Sequence, residues 1–269
     1  MSPQWTDQVC VTLAPASVAC TVWSRGWSPQ LRARAVLPCT PDDQAPPWRP
    51  AVEALRTWLA QHGPRRASVR IVLSNHFLRY LVVPWQAELS GRTERRVLAQ
   101  HLFQEAYGER AAGWHVQLGS SAYGRPALAC AVDRDFHDAL VAALAATACR
   151  LSALQPLLML AFNQFVHRLG NDACLFVSEP GRLCSAVFKA GQWHSVQTVR
   201  MSPGADIDRL VGRQISVLGI GADVPVFVFD AAASAVASAP QRDGQTFQSL
   251  CVASERRVDP AFALLAEAQ

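Results

Sequence analysis

The chain has seven histidines and eight cysteines, the residue types that could bind a metal ion or act as a nucleophile. No histidine stands at ligand spacing from another histidine or a cysteine, and His101 and His137 fall on predicted helices at the edges of apolar faces. Cys174 and Cys184 fall in predicted core strands, where a thiol packs as a small apolar group. We therefore expect neither a metal site nor a cysteine nucleophile.

Two short polar clusters are the next candidates for chemistry. Residues 74–76 (Ser-Asn-His) follow a predicted strand, and residues 133–135 (Asp-Arg-Asp) precede a predicted helix. A strand turn and a helix cap account for these residue types without catalysis. The sequence has no Gly-x-Ser-x-Gly elbow and no Walker lysine motif, which argues against the hydrolases and P-loop nucleotidases that depend on them.

The composition is typical of a globular protein in a reducing compartment. Half of the residues are hydrophobic and 17% are charged. The cysteines lie mostly inside apolar runs, without a Cys-x-x-Cys pair. The net charge is only +4 and the arginines are scattered, which does not favour nucleic-acid binding. Because the first residues lack a signal-peptide pattern and polar residues interrupt the uncharged stretch at 151–166, we expect a cytoplasmic protein.

One pattern of elements occurs twice, at residues 10–23 and again at residues 174–188. Each copy is an apolar run, a turn of small residues and proline, and a second apolar run. A turn at Gly26 or Gly191 and a third extended stretch, reaching Pro38 or Met201, follow. This pattern predicts a three-stranded meander that opens each half of a duplicated fold. The alternative is a chance likeness of two hairpins in an ordinary α/β domain.

Hydrophobic spacing predicts the remaining helices and strands. Helices are expected at residues 51–62, 91–107, 135–149, 154–169, 205–216, 231–239 and 260–268. Strands are expected at residues 68–73, 77–83, 114–118, 126–132, 224–229 and 247–253. On the helix at 91–107, the spacing places Val97 and Leu98 with Leu102 and Phe103 on the buried face and leaves Arg95 in solvent.

Residues 69–85 form a predicted strand, a turn and a second strand closed by Pro84 and Trp85. Together with residues 129–133 and 154–156, they make the chain similar to the cytoplasmic actin-like proteins of type IV pilus and type II secretion machines, PilM and the cytoplasmic domain of GspL. The resemblance implies an α/β, two-lobed actin-like fold (a duplicated ribonuclease H-like fold) with a small α+β insertion in the first lobe. It places the first lobe at residues 1–170, the inserted subdomain at about 79–150, and a shortened second lobe at 171–269.

The chain departs from this family at the phosphate-binding turns. Active members of the superfamily carry Asp-x-Gly in the first turn of each meander, where the carboxylate works through a metal and water and the glycine lets backbone amides approach the phosphates. This chain has Ala14 and Pro15 at the first place and Glu179 and Gly181 at the second. Alanines at 231–233 replace the glycine pair expected on the adenine side. We expect vestigial phosphate turns, no ATP hydrolysis and no cofactor, ATP and Mg²⁺ included.

By resemblance, the protein is a non-catalytic cytoplasmic scaffold of a type IV pilus or type II secretion assembly platform at the inner membrane. Its expected partner is the cytoplasmic tail of a PilN-like inner-membrane subunit, and the assembly ATPase is a second candidate. Membrane contact would come only through partners, and a homo-oligomer stays open. The alternative is an active actin-like ATPase or sugar-kinase-like enzyme with divergent phosphate loops.

Residues 77–85 are the candidate partner-binding stretch. The run is apolar and ends at a proline, so an exposed edge there could accept a strand from another chain, whereas a covered edge would only be core. The candidate contact residues are Phe77, Tyr80, Val82 and Trp85. The inserted segment and the cleft between the lobes are expected to form the interface.

Overall fold

The computed structural model describes residues 6–40, 42, 44–89, 91–231, 241–242 and 245–250. Its strands are β1 (Gln8–Leu13), β2 (Ser17–Trp23), β3 (Leu31–Pro38), β4 (Ser68–Leu73), β5 (Leu78–Val83), β6 (Trp114–Leu118), β7 (Ala127–Asp133), β8 (Arg150–Pro156), β9 (Ala173–Glu179), β10 (Arg182–Lys189), β11 (Gln192–Arg200), β12 (Val226–Asp230), β13 (Gln241–Arg242) and β14 (Gln245–Leu250). Its α-helices are α1 (Arg49–His62), α2 (Arg92–Tyr107), α3 (Arg134–Ala146), α4 (Leu157–Leu169) and α5 (Ile207–Leu218). Short 3-10 helices lie at Asn75–Phe77, Ala87–Leu89 and Gly108–Gly113.

These residues form two units. The first unit holds the described residues up to Phe77 together with Arg134–Leu160. The second holds Leu78–Asp133 together with the described residues from Ala161 to Leu250. Within residues 79–150, β5, α2, β6 and β7 belong to the second unit and α3 belongs to the first.

The first unit is built on a five-stranded sheet with the order β3-β2-β1-β4-β8. β1, β2 and β3 are antiparallel neighbours, whereas β4 runs parallel to β1, with Val11 opposite Ile71. β1 and β2 are central and almost wholly buried, which explains their continuous apolar runs. β3 forms an edge and alternates between half-buried and exposed residues, as its Leu-Arg-Ala-Arg pattern predicts. The first predicted meander is confirmed.

The second unit repeats this plan in a sheet with the order β11-β10-β9-β12-β14-β13. β9, β10 and β11 form the antiparallel meander, and β12 runs parallel to β9, as β4 does to β1. In both units the parallel strand follows a helix, α1 before β4 and α5 before β12. A second parallel strand, β8 or β14, extends each sheet. The predicted duplication is confirmed, because a chance likeness of two hairpins would not extend to the strands that follow them.

A small antiparallel sheet with the order β5-β7-β6 carries α2 in the second unit. Side chains from this sheet, from α2 and from the 3-10 helix after it form a separate core, made of Val83, Ala99, Phe103, Ala111, Val116, Ala129 and Ala131. β5 also lies against β11 of the larger sheet. The predicted small α+β subdomain is present.

The buried face of α2 differs from the predicted one. Arg95, Ala99 and Phe103 are its buried residues, spaced four apart. Val97, predicted in the core, is 59% exposed, and Arg95, predicted in solvent, is only 7% exposed. The prediction is confirmed for Leu98, Leu102 and Phe103, which pack in this core. It was wrong for Val97 and Arg95 because it assigned every arginine to solvent, whereas residues four apart on a helix share one face whatever their charge.

β8 was not predicted from the sequence. The predicted helix at 154–169 begins at Leu157, and the preceding residues 150–156 form a strand parallel to β4. Ser152 Oγ donates a hydrogen bond to the carbonyl of Val69 at 3.0 Å, which ties the two strands together. A short apolar run fits strand and helix equally well, and pairing with β4 decides between them. The predicted helices at 231–239 and 260–268 and the end of the strand at 251–253 lie outside the described residues, apart from Ala231.

The long uncharged stretch at residues 151–166 is divided between β8 and α4. α4 has 13 residues, which at 1.5 Å per residue span about 20 Å, less than the roughly 30 Å of a bilayer core. In the part of the chain that the structure describes, no helix is both long enough and apolar enough to cross a membrane.

Asp206 caps the N-terminus of α5. Its Oδ1 accepts hydrogen bonds from the backbone N–H groups of Asp208 at 2.9 Å and Arg209 at 3.3 Å. We expect Asp206→Ala to lower the free energy of unfolding by about 1 kcal/mol, because two helix-end donors lose their acceptor. Urea denaturation followed by circular dichroism measures this, and Asp206→Asn should recover most of the loss. Equal losses for both variants would contradict a capping role.

Candidate functional site

The turn between β1 and β2 is the first predicted phosphate turn. The N–H of Ala14 donates a hydrogen bond to the carbonyl of Ser17 at 3.0 Å, and Pro15 has no N–H. The carbonyl of Leu13 accepts from the N–H of Ser74 at 3.0 Å. Residues 13–17 contain no carboxylate. Ala14 and Pro15 therefore offer neither a metal-binding oxygen anion nor a spare amide for a phosphate.

The turn between β9 and β10 is the second. Glu179 ends β9, is 5% exposed and stands opposite Arg182 in the hairpin. Gly181 has a φ of 79°, which a glycine adopts without strain, and its carbonyl accepts from the N–H of Met201 at 3.0 Å. The carbonyl of Ser178 accepts from the N–H of Ala231 at 2.8 Å. The backbone of this hairpin is thus tied to its neighbours on two sides.

The Glu179 carboxylate belongs to a buried group of ionisable side chains in the second unit. Burial raises the pKa of Tyr80 well above its ordinary value, and Cys184, Cys130 and Glu179 add smaller contributions in the same direction. Burial lowers the pKa of Arg182, helped by two neighbouring arginines and opposed by Glu179. Glu179 therefore helps to balance the charge of Arg182. Taken with the first turn, these residues do not match the Asp-x-Gly pair that holds a magnesium–nucleotide in the actin-like superfamily.

The four candidate contact residues of the segment 77–85 lie in different environments. In the first unit, Phe77 is half-buried, with its ring 5.0 Å from that of Phe136. In the second unit, Tyr80 is 4% exposed, so its side chain packs in the interior and is not available for contact with a partner. Val82 and Trp85 are half-buried. β5 is an edge strand of the small sheet and β11 lies against it, so an added strand would have to compete with β11 for that place.

Trp85 is the candidate contact residue that packs against an exposed aromatic side chain. Its ring meets that of Tyr123 edge to face, with centroids 4.6 Å apart, and Tyr123 is 81% exposed. The guanidinium carbon of Arg95 lies 5.0 Å from the centre of the Trp85 ring. Arg95 also donates to Ser121 Oγ at 3.0 Å and to the carbonyl of Arg125 at 3.4 Å. Tryptophan, tyrosine and arginine are the residue types that most often dominate protein–protein contacts.

Comparison with known proteins identifies the fold. The sequence matches no protein-family model and no curated protein. Among solved structures, the cytoplasmic domain of EpsL, an inner-membrane component of the type II secretion system of Vibrio cholerae, superposes with a TM-score of 0.58 and 14% identity over 98% of this chain and 94% of that chain. The PilM–PilN type IV pilus biogenesis complex gives 0.57 and 14% over 83% and 81%. A Bacteroides thetaiotaomicron protein of unknown function with an actin-like ATPase fold gives 0.55 and 10% over 85% and 82%.

The chain has an actin-like ATPase fold. The predicted fold class is confirmed, as is the likeness to the structures of PilM and of a type II secretion cytoplasmic domain. At identities of 10 to 14%, these superpositions show the fold alone, and the function is argued from the site.

Sequence reasoning located the two hairpin turns of this actin-like fold but missed Arg95 and Tyr123. A signal for Arg95 was present, because it stands four residues before Ala99 and eight before Phe103, in line with an apolar stripe. Tyr123 carried no such signal. It lies in the loop between β6 and β7, and its contact with Trp85 depends on how that loop packs.

Proposed function

We propose that this chain is a non-catalytic scaffold in an inner-membrane assembly platform of the type IV pilus or type II secretion kind. The likeness over most of the chain to EpsL and to the PilM–PilN complex supports the class of machine. The observation that carries the non-catalytic role is the chemistry of the two hairpin turns, where Ala14 and Pro15 replace the first phosphate turn and Glu179 is buried in the second. The chain keeps the fold, but the residues at the positions that bind phosphate in active members of the superfamily are replaced or buried.

The proposed partner is a short cytoplasmic segment of a PilN-like membrane subunit. A PilM–PilN complex is among the similar structures, which supports a membrane subunit as the first candidate. The assembly ATPase is the second candidate partner, and self-association is a third contact to test. In this arrangement the chain lies on the cytoplasmic face of the inner membrane and reaches the membrane through its partners.

Trp85 and Tyr123 are the proposed contact residues for that segment. Their rings contact each other, and Tyr123 presents most of its surface to solvent. An aromatic pair of this kind supplies a large apolar contact area at a small cost in side-chain entropy. The same pair lies outside both hairpin turns, so partner binding there would not depend on nucleotide.

A binding measurement with matched tryptophan variants tests the partner proposal. We expect a synthetic peptide with the cytoplasmic tail sequence of the PilN-like subunit from the same bacterium to bind the purified chain in isothermal titration calorimetry. Trp85→Ala should weaken binding about tenfold or more, since an aromatic anchor of an interface is lost. Trp27→Ala is the control, because Trp27 is 75% exposed in the first unit. Equal effects of the two variants, or no binding to the tail, would argue against this surface.

The competing hypothesis, an active ATPase or sugar-kinase-like enzyme, is tested by adding nucleotide in a thermal unfolding measurement. We expect millimolar Mg–ATP to leave the thermal unfolding midpoint unchanged, because a ligand raises the midpoint only if it binds the folded state. A rise in the midpoint that disappears in Glu179→Ala would identify the second turn as a working phosphate site and overturn the non-catalytic proposal.

A further inference from the structure

A cavity of about 270 Å³ lies at the N-terminal end of α2 in the second unit. Two arginines from the first turn of the helix and a loop rich in serine and glycine line it: Arg92, Arg95, Leu118, Gly119, Ser120 and Ser121. It borders the aromatic pair, because Arg95 also packs on the Trp85 ring. Neither hairpin turn contributes to it.

Arg95 is a buried cation whose hydrogen bonds go to neutral groups. It is 7% exposed, and it donates to the Ser121 hydroxyl and the Arg125 carbonyl. Its Nε is buried and has no hydrogen-bond partner among the described residues. None of the ion pairs found in the described part of the chain involves Arg95. Burying a charge without an opposite charge is unfavourable, and the contact with Trp85 offsets only part of that cost.

The helix end adds to the local positive potential. α2 has 16 residues and begins after Gly91, and its first residue, Arg92, lines the cavity, so the positive end of the helix dipole lies beside it. Arg92 and Arg95 stand in this first turn, where basic residues oppose the dipole. Glu94 is the acidic residue of that turn, and its Oε2 accepts from the N–H of Gly91 at 3.1 Å. An anion in the cavity would relieve both the buried charge of Arg95 and the repulsion at the helix end.

We propose that this cavity binds the carboxylate of an aspartate or glutamate in a peptide segment of a partner protein. A guanidinium fork matches a carboxylate in shape and charge, and the Ser120 hydroxyl adds a donor. The Ser121 hydroxyl accepts from Arg95 and donates to the Arg125 carbonyl at 3.3 Å, which holds the loop against the arginine. Leu118 lines the cavity, Trp85 lies against Arg95, and Tyr123 lies against Trp85. These side chains give the neighbouring residues of a peptide an apolar surface. Free phosphate would meet the same arginines without that contact. The inference goes beyond the proposed function, because it assigns a ligand chemistry whichever machine the chain serves.

Synthetic peptides test the ligand chemistry. The probes are a blocked peptide with two glutamates flanking a leucine, the same peptide with glutamines, and inorganic phosphate, each titrated calorimetrically into the full chain. We expect the glutamate peptide to bind, with an affinity that falls as the sodium chloride concentration rises. The glutamine peptide should bind at least about tenfold more weakly. No binding of the glutamate peptide, or binding of phosphate as tight as that of the peptide, overturns the proposal.

Matched arginine variants test whether the peptide binds in this cavity. Arg92→Gln and Arg95→Gln should each weaken the glutamate peptide about tenfold, whereas Arg96→Gln should leave it within about twofold, since Arg96 is exposed on the same helix and does not line the cavity. Arg92 is exposed, so Arg92→Gln carries the result if Arg95→Gln fails to fold. Equal weakening by all three variants would indicate general charge attraction and overturn the site. Because the tail-peptide measurement and this one use different ligands, either can fail alone.

Discussion

Phe103→Ala is expected to lower the free energy of unfolding of the second unit by about 3–5 kcal/mol, the range for removing a fully buried aromatic ring. Phe103 has no exposed surface and lies at the centre of the core formed by α2 and the small sheet. Its ring centroid lies 6.0 Å from that of Tyr107 and 6.2 Å from that of Trp114. The small residues around it, Ala99 among them, cannot fill the cavity. Urea denaturation followed by the near-ultraviolet signal of the aromatic residues measures the change.

Val97→Ala on the same helix is the control for Phe103→Ala. Because Val97 is 59% exposed, its truncation should change the free energy of unfolding by about 0.5 kcal/mol or less. The hydrophobic spacing instead predicts Val97 and Phe103 on one buried face, which requires both truncations to be costly. A loss above about 2 kcal/mol for Val97→Ala would support that earlier helix face and contradict the structure.

The duplicated meanders could be predicted from the sequence because their physics is local. β1, β2, β9 and β10 are central strands, so each needs an unbroken apolar run, and each hairpin is closed by a turn whose residues mark it. β3 is an edge strand, so it alternates. These signals depend on a strand's own burial and do not require knowledge of its neighbours.

The elements that the sequence did not predict depend on distant partners. β8 is a strand because β4 offers a parallel edge, and residues 150–156 have no periodicity that separates a strand from the start of α4. The buried face of α2 includes Arg95, which is tolerated there because the β6–β7 loop supplies Ser121 and the Arg125 carbonyl. The sequence of α2 alone indicates neither the loop nor the Trp85 ring that accommodates Arg95.

The candidate sites divide in the same way. Ala14, Pro15, Glu179 and Gly181 could be located from the sequence, since a hairpin turn between two apolar runs is a local feature. Their burial and hydrogen bonds needed the structure. The contacts of Arg95 with Trp85, Ser121 and the Arg125 carbonyl join residues that are 10, 26 and 30 positions apart in the chain. No motif links these positions, so the carboxylate pocket could not be inferred from spacing.

The protein is expected to lose stability steeply above about pH 9 because of its buried thiols. Burial raises the pKa of Cys10 to about 11 and that of Cys174 to about 12, from an ordinary value of 9.0. Below pH 9 both the folded and the unfolded chain keep these protons. Between pH 9 and the folded-state pKa, the unfolded chain loses them and the folded chain does not, so the unfolded state binds fewer protons and the free energy of unfolding falls. Each thiol contributes about 1.4 kcal/mol per pH unit in that range.

Cys174→Ala isolates the contribution of one thiol. Up to about pH 9 the variant should differ from the wild type by a constant amount, the cost of a small cavity in β9. At pH 11 the wild type should have lost about 2–3 kcal/mol more than the variant, because the pKa of Cys174 is raised by about three units. Urea denaturation under reducing conditions at pH 8, 9, 10 and 11 measures both proteins.

Val177→Ala is the control for that series, since it truncates a fully buried residue of the same strand without removing a thiol. Its difference from the wild type should stay constant from pH 8 to pH 11, as the two proteins share all their ionising groups. If the Cys174→Ala difference is equally constant, the folded protein ionises this thiol as readily as the unfolded chain does. Solvent must then reach the β9 core, which the packing of the second sheet does not allow.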